Sequence, residues 1–210
     1  MPEVKAQIQK ALTDNAGRKV HVLFAGHSAG DAVASLLFCH FATYGLPVPQ
    51  TQSDTPTVSC ITFGAAPMFD KNITPFLQSE EIGNVLSFVN EGDPVPMIDA
   101  EYAHQLGTLY SQVSGSICMV AEAEKLKFKP KNLSLRGIGQ LVILFDKNAD
   151  NDSEEEELVA ARIDHAYLEK CFWGHIYRHD MDLYLSEADL IEKGTFNGKH
   201  GWDSRTWFAS

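Results

Sequence analysis

The chain has 210 residues, 44% of them hydrophobic and 21% charged, the make-up of a globular domain able to bury one sizeable core. A net charge of −11 and a pI near 5.1 exclude the concentrated basic face that nucleic-acid phosphates require. No run approaches the roughly 20 apolar residues of a membrane-spanning helix, and the opening MPEVKAQIQKALTDNAGRK lacks the apolar core and cleavage site of a signal peptide.

Residues 2–15 read as an amphipathic helix, with Val4, Ile8 and Leu12 at helical spacing and Asn15 to Gly17 as a stop. KVHVLFA at 19–25 is a short strand, and the pentapeptide GHSAG follows it without a gap. DAVASLLFCHFATY at 31–44 is apolar almost all round, the pattern of a helix buried against a sheet, and Gly45 and Pro47 end it. TVSCITF at 57–63, NVLSFV at 84–89 and QLVILFD at 140–146 are further strands, the last after a helical insertion at 100–138. Strands alternating with helices predict βαβ units and a mostly parallel sheet, an α/β fold. ELVAARI at 157–163 pairs with 140–146 as an antiparallel edge hairpin across an acidic loop at 146–157. Residues 165–193 read as a helix, a loop near Gly174 and a second helix in DMDLYLSEADLIEK. One domain, 1–210, is expected, and no internal repeat is visible.

Chemistry concentrates at Gly26-His27-Ser28-Ala29-Gly30. The pattern G-x-S-x-G alone is weak, arising by chance in about one chain of this length in fifteen. Its placement between a strand and a helix makes it specific. A serine nucleophile must project from a sharp, strained turn, and flanking glycines remove Cβ atoms that would collide as strand and helix close. The helix N-terminus then aims backbone N–H groups at the reacting oxygen, Ala29 N–H among them.

Such a serine needs a base and an orienting carboxylate, in the chain order nucleophile, acid, histidine. Asp93 in FVNEGDPVPMID lies just past a strand, with Pro94 and Pro96 fixing the backbone; Asp99 is the competitor, further from the strand end. His179 and His175, in GHIYRHDMDLYL, are the candidate bases. His179 is preferred because it immediately precedes a helix whose Met181, Leu183, Tyr184 and Leu185 can pack it in place. His27 reads as a packing residue of the elbow. His21, His40, His104, His165 and His200 have no partner pattern.

The ordered motifs GHSAGDAVASLL, ITFGAAP, VNEGDPVP and HDMDLYL resemble the class 3 lipases, the fungal lipase-like or triacylglycerol lipase family. That family runs GHSLGGALA, TFGSPR, NNDPVP and a late histidine followed by an aromatic. The resemblance spans Val20 to Leu185 and implies an α/β-hydrolase-like fold. It also implies Ser28 as nucleophile, Asp93 as acid, His179 as base and an acylglycerol-like lipid ester as substrate, with no metal or organic cofactor. Asp31 stands where the family usually has a second glycine. Residues 1–25 are too few for the family's upstream strands, lid and second oxyanion donor. The expectation is therefore an N-terminally truncated domain that is a poor enzyme alone, exposes apolar surface and self-associates. The rival expectation is a lipase-like module without catalysis that binds a protein partner. A thioesterase or amidase on the same fold differs only in pocket residues.

Three features stand outside this pattern. Cys39, Cys60, Cys118 and Cys171 are far apart among apolar neighbours and read as buried free thiols, which suits a reducing, cytoplasmic location. DKNADNDSEEEE at 146–157 partly fits a calcium loop, but Asn151 stands at the glycine position and strands flank it, so a solvated acidic loop is expected. Lys125, Lys127, Lys129 and Lys131 alternate with Leu126, Phe128 and Pro130, the pattern of a lysine-protected edge strand, with transient contact at a membrane or lipid interface as its alternative.

Overall fold

Alternation of apolar strands with helices produces a five-stranded sheet in the computed structural model, which describes residues 1–48, 56–70, 82–112, 136–146, 158–163, 168 and 174–192. The elements in chain order are α1 (Pro2–Asp14), β1 (His21–His27), α2 (Ala29–Tyr44), β2 (Thr57–Phe63), β3 (Ile82–Asn90), α3 (Ala100–Gln112), β4 (Gln140–Asp146), β5 (Leu158–Ile163) and α4 (Met181–Glu192). Strand order follows sequence order. β1 to β4 run parallel, and β5 pairs antiparallel with β4 at the far edge, Leu141 opposite Ile163. The predicted strands and the edge hairpin are all present. Residues 113–135 of the expected insertion, the acidic loop 147–157, Cys118, Cys171, the four spaced lysines, His165 and His200 lie outside the described residues.

Side-chain alternation along each strand sends neighbouring residues to opposite faces. One face carries Val22, Phe24, Val58 and Cys60 against Phe38 and Phe41 of α2 and the half-buried Val4 and Ile8 of α1. Further along, the same face packs Val89, Ile143 and Ala161 against Met97, Tyr102 and Leu106. Phe24 and Phe41 stack at 5.6 Å, binding β1 to α2; such a pair adds about 0.5–1.5 kcal/mol beyond its burial. On the opposite face Val142, Leu144 and Ala160 meet Tyr184 of α4.

Two expectations change. The first strand runs on through Gly26 and His27, which sit opposite Thr62 and Phe63, because the parallel ladder continues past the point where the apolar run stops. α2 is not buried all round. It buries Asp31, Ala34, Ser35, Phe38 and Phe41, one helical stripe, and leaves Val33 and Leu36 about half exposed, at 58% and 52%. Only one side of a helix can face the sheet, whatever the composition of the other.

The elbow between β1 and α2 depends on one glycine of the pentapeptide for space. A Cβ on Gly26 would stand 2.5 Å from the carbonyl carbon and oxygen of Gly30, whereas a Cβ on Gly30 would meet nothing within 4 Å. Gly30 matters as the backbone that Gly26 must accommodate. Gly26→Ala should therefore lower the free energy of unfolding by about 1–3 kcal/mol, the usual cost of overpacking. Gly30→Ala, in the first turn of a helix, should leave it unchanged or raise it by up to about 1 kcal/mol. Urea unfolding of the two variants checks this, and equal losses would refute the asymmetry.

Candidate active site

Ser28 joins the end of β1 to the first turn of α2 with φ 57° and ψ −122°, and among the described residues no other non-glycine has positive φ. A conformation of this kind costs about 1–3 kcal/mol and persists only where surrounding bonds determine it. Here the Ser28 N–H donates to the Phe63 carbonyl at 3.2 Å, and the Ser28 carbonyl accepts the Asp31 N–H at 3.1 Å. The hydroxyl makes no capping bond to its own helix. Ala29 opens α2, so its N–H belongs to the turn whose donors lack intrahelical acceptors and sit at the positive end of the helix dipole.

Asp93 lies in the turn after β3 and is fully buried. Its N–H donates to the Asn90 carbonyl at 3.0 Å, closing the turn. Its Oδ1 accepts the Val95 N–H at 2.9 Å, at the start of a 3₁₀ turn, Val95–Met97, that follows Pro94. Its Oδ2 accepts from His179 Nδ1 at 3.0 Å and from the Tyr184 hydroxyl at 2.8 Å. The competing Asp99 instead caps α3, its Oδ1 accepting the Tyr102 N–H at 2.7 Å, a helix-capping role.

His179 ends a second 3₁₀ turn, Ile176–His179, just before α4. With Nδ1 on Asp93, its Nε2 is the nitrogen left for proton transfer. Its ring stacks on that of His27, the residue preceding Ser28, at 4.6 Å, and His27 Nε2 donates to the His179 carbonyl at 2.9 Å. His27 thus clamps His179 by both ring and backbone. No hydrogen bond joins the Ser28 hydroxyl to His179 among the described contacts; in unliganded enzymes such bonds are often long and tighten around substrate. His175 packs elsewhere, its N–H donating to the Gly92 carbonyl at 2.9 Å and its ring tilted against Tyr177 at 5.5 Å. Burial, then the Arg178 charge, lowers the His175 pKa.

Two residues have roles at this site that the sequence does not reveal. Tyr184 is buried on α4, where its hydroxyl accepts the Asn90 N–H at 2.9 Å while donating to Asp93. Burial, then the Asp93 charge, pushes that hydroxyl well above the ordinary tyrosine range, so it stays protonated and able to donate. Gly64, with φ 61°, borders the same contact: a Cβ there would lie 2.8 Å from Asp93 Oδ2 and 2.9 Å from His179 Nδ1. The glycine of ITFGAAP was visible in the sequence. The spacing of Tyr184 from Asp93 carried no signal, since only the fold joins α4 to the turn after β3. No group of three or more His, Cys, Asp or Glu residues among the described residues could hold a metal ion. No helix among them is long and apolar enough to cross a membrane.

A mostly parallel sheet flanked by helices is an α/β-hydrolase-like fold, here with a serine elbow at one strand end and, two strands away, a carboxylate joined to a histidine. Residues 2–103 match the family model for lipase (class 3). A solved structure titled crystal structure of M37 lipase is 18% identical, with a TM-score of 0.36 over 62% of this chain. The chain spans 39% of the length of that lipase. No curated protein matches it.

Tyr184→Phe should unfold more easily in urea by about 1–3 kcal/mol, because it strands the buried Asn90 N–H and one bond of the Asp93 carboxylate without making a cavity. Wild-type stability in that variant would mean the hydroxyl contacts are idle.

Proposed function

We propose that the chain is the nucleophile-bearing part of a serine carboxylic-ester hydrolase that cleaves acylglycerol-like lipid esters. The observation that carries this reading is the Asp93–His179 hydrogen bond, held by stacking on His27 beside a serine in a strained elbow. The match of residues 2–103 to class 3 lipases supports the lipid-ester substrate class. The exposed apolar Val33 and Leu36 on α2 suit transient contact with a lipid interface.

In the proposed reaction His179 Nε2 takes the Ser28 hydroxyl proton as Oγ bonds to the ester carbonyl carbon. The oxyanion formed accepts the Ala29 N–H, and the Asp93 carboxylate stabilises the imidazolium. The imidazolium then protonates the departing alcohol, leaving an acyl group on Ser28. Water, deprotonated by His179, attacks that acyl carbon, and collapse releases the fatty acid while Ser28 regains its proton.

A fluorophosphonate probe should become attached to Ser28, with mass spectrometry placing the adduct there, and Ser28→Ala should abolish labelling. His179→Ala should slow it by about 10²–10⁴-fold, the usual worth of a positioned base. Folded wild-type chain that takes up no probe would overturn the catalytic reading and favour a lipase-like module that binds a protein partner.

A further inference from the structure

Asp31 is a fully buried carboxyl that the proposed chemistry leaves unused. It is the third residue of α2, where a side-chain acceptor can reach back over the first turn. Its Oδ2 accepts the Phe63 N–H at 2.9 Å, and its Oδ1 is buried without a hydrogen-bond partner. Three bonds thereby form a ring. The Asp31 N–H donates to the Ser28 carbonyl, the Ser28 N–H donates to the Phe63 carbonyl, and the Phe63 N–H donates to Asp31. The backbone of Ser28 is held on both sides by this ring.

We propose that Asp31 is a positioning residue for Ser28 whose neutral acid form locks the first turn of α2 to the end of β2, and whose ionisation loosens that lock. The proposal rests on the functional reading above for what Ser28 does. An ionised carboxylate with one buried oxygen unpaired must draw in water or move, whereas a neutral acid tolerates burial far better. Of the titratable groups that bear on Asp31, Asp93, in the turn after β3, worsens its ionised form by adding a like charge, while Cys60, on β2, is a thiol that burial keeps neutral, its pKa raised to about 12. Burial above all, with Asp93 adding to it and the Phe63 and Ser28 amides opposing, raises the Asp31 pKa from 3.8 to about 8. At neutral pH Asp31 is mostly the neutral acid, and above pH 8 the lock opens.

The stability sign follows from linkage. The folded state holds the Asp31 proton up to about pH 8, while the unfolded chain releases it near 3.8. The contribution is therefore full below 3.8 and is lost as pH rises towards 8.

The test compares the full chain with Asp31→Asn, whose amide oxygen can still accept the Phe63 N–H but cannot ionise, in two measurements. The first is the rate of fluorophosphonate labelling of Ser28 from pH 6 to 10. Wild type should fall from its plateau with a midpoint near pH 8, by about thirtyfold at pH 9.5, one and a half units above it. Asp31→Asn should hold its own plateau. The second is the melting temperature, where between pH 5 and 8 wild type should lose roughly 10 °C relative to Asp31→Asn. Should Asp31→Asn fail to fold, Asp31→Gly takes its place in both. Parallel labelling profiles or parallel melting curves would overturn the proposal. If no protein labels at any pH, the hydrolase reading falls, and the melting comparison alone decides whether Asp31 is held neutral.

Discussion

A serine with a side chain in a left-handed turn is a strained object, and the site is built around keeping it there. The strain at Ser28 is sustained because α2 can close on β1 over Gly26, where a methyl group would collide with Gly30. That closure aligns the first turn of α2, with the Ala29 N–H, at the end of the strand. It also brings Asp31 under the elbow, next to the Phe63 amide. The stacked Phe24 and Phe41 rings hold the same strand and helix together one layer deeper. The core and the elbow are thus one assembly, and the turn inherits its rigidity from the sheet.

The residues proposed to act with Ser28 arrive from far along the chain but meet at the same sheet end. Parallel pairing carries β1, β2 and β3 in one direction, so the residues following them, Ser28, Gly64 and Asp93, emerge together. His179 comes from the opposite face with α4, and Tyr184 on that helix reaches the same carboxylate oxygen. Two donors on Asp93 Oδ2, one from the imidazole and one from the phenol, fix the carboxylate from both sides of the residue it orients. Gly64 leaves the space in which they meet.

Much of this was legible in the residues. Short apolar runs located β2 and β4 to the residue, and the glycine-bracketed serine located the elbow, because both signals are local. The choice between Asp93 and Asp99 was legible only as nearness to a strand end; the structure gives Asp99 a capping role that a side chain three residues before an amide often takes. What sequence could not supply was tertiary. The burial of only one stripe of α2, the clamp of His27 on His179 and the bond from Tyr184 to Asp93 all depend on which face meets which. A carboxylate on a helix's first turn is ordinarily favourable, but only in solvent. Full burial reverses this at Asp31, since desolvation outweighs the helix dipole.

The central claim is that Ser28, His179 and Ala29 converge on one reacting centre, and a crystal structure of the chain after treatment with a dialkyl phosphoryl ester tests it most directly. The account predicts phosphorus bonded to Ser28 Oγ and the phosphoryl oxygen within about 3.2 Å of the Ala29 nitrogen. It also predicts His179 Nε2 within the same distance of an oxygen of the adduct, with Nδ1 still on Asp93. An adduct whose phosphoryl oxygen faces away from Ala29, or with His179 beyond reach of it, would contradict the account.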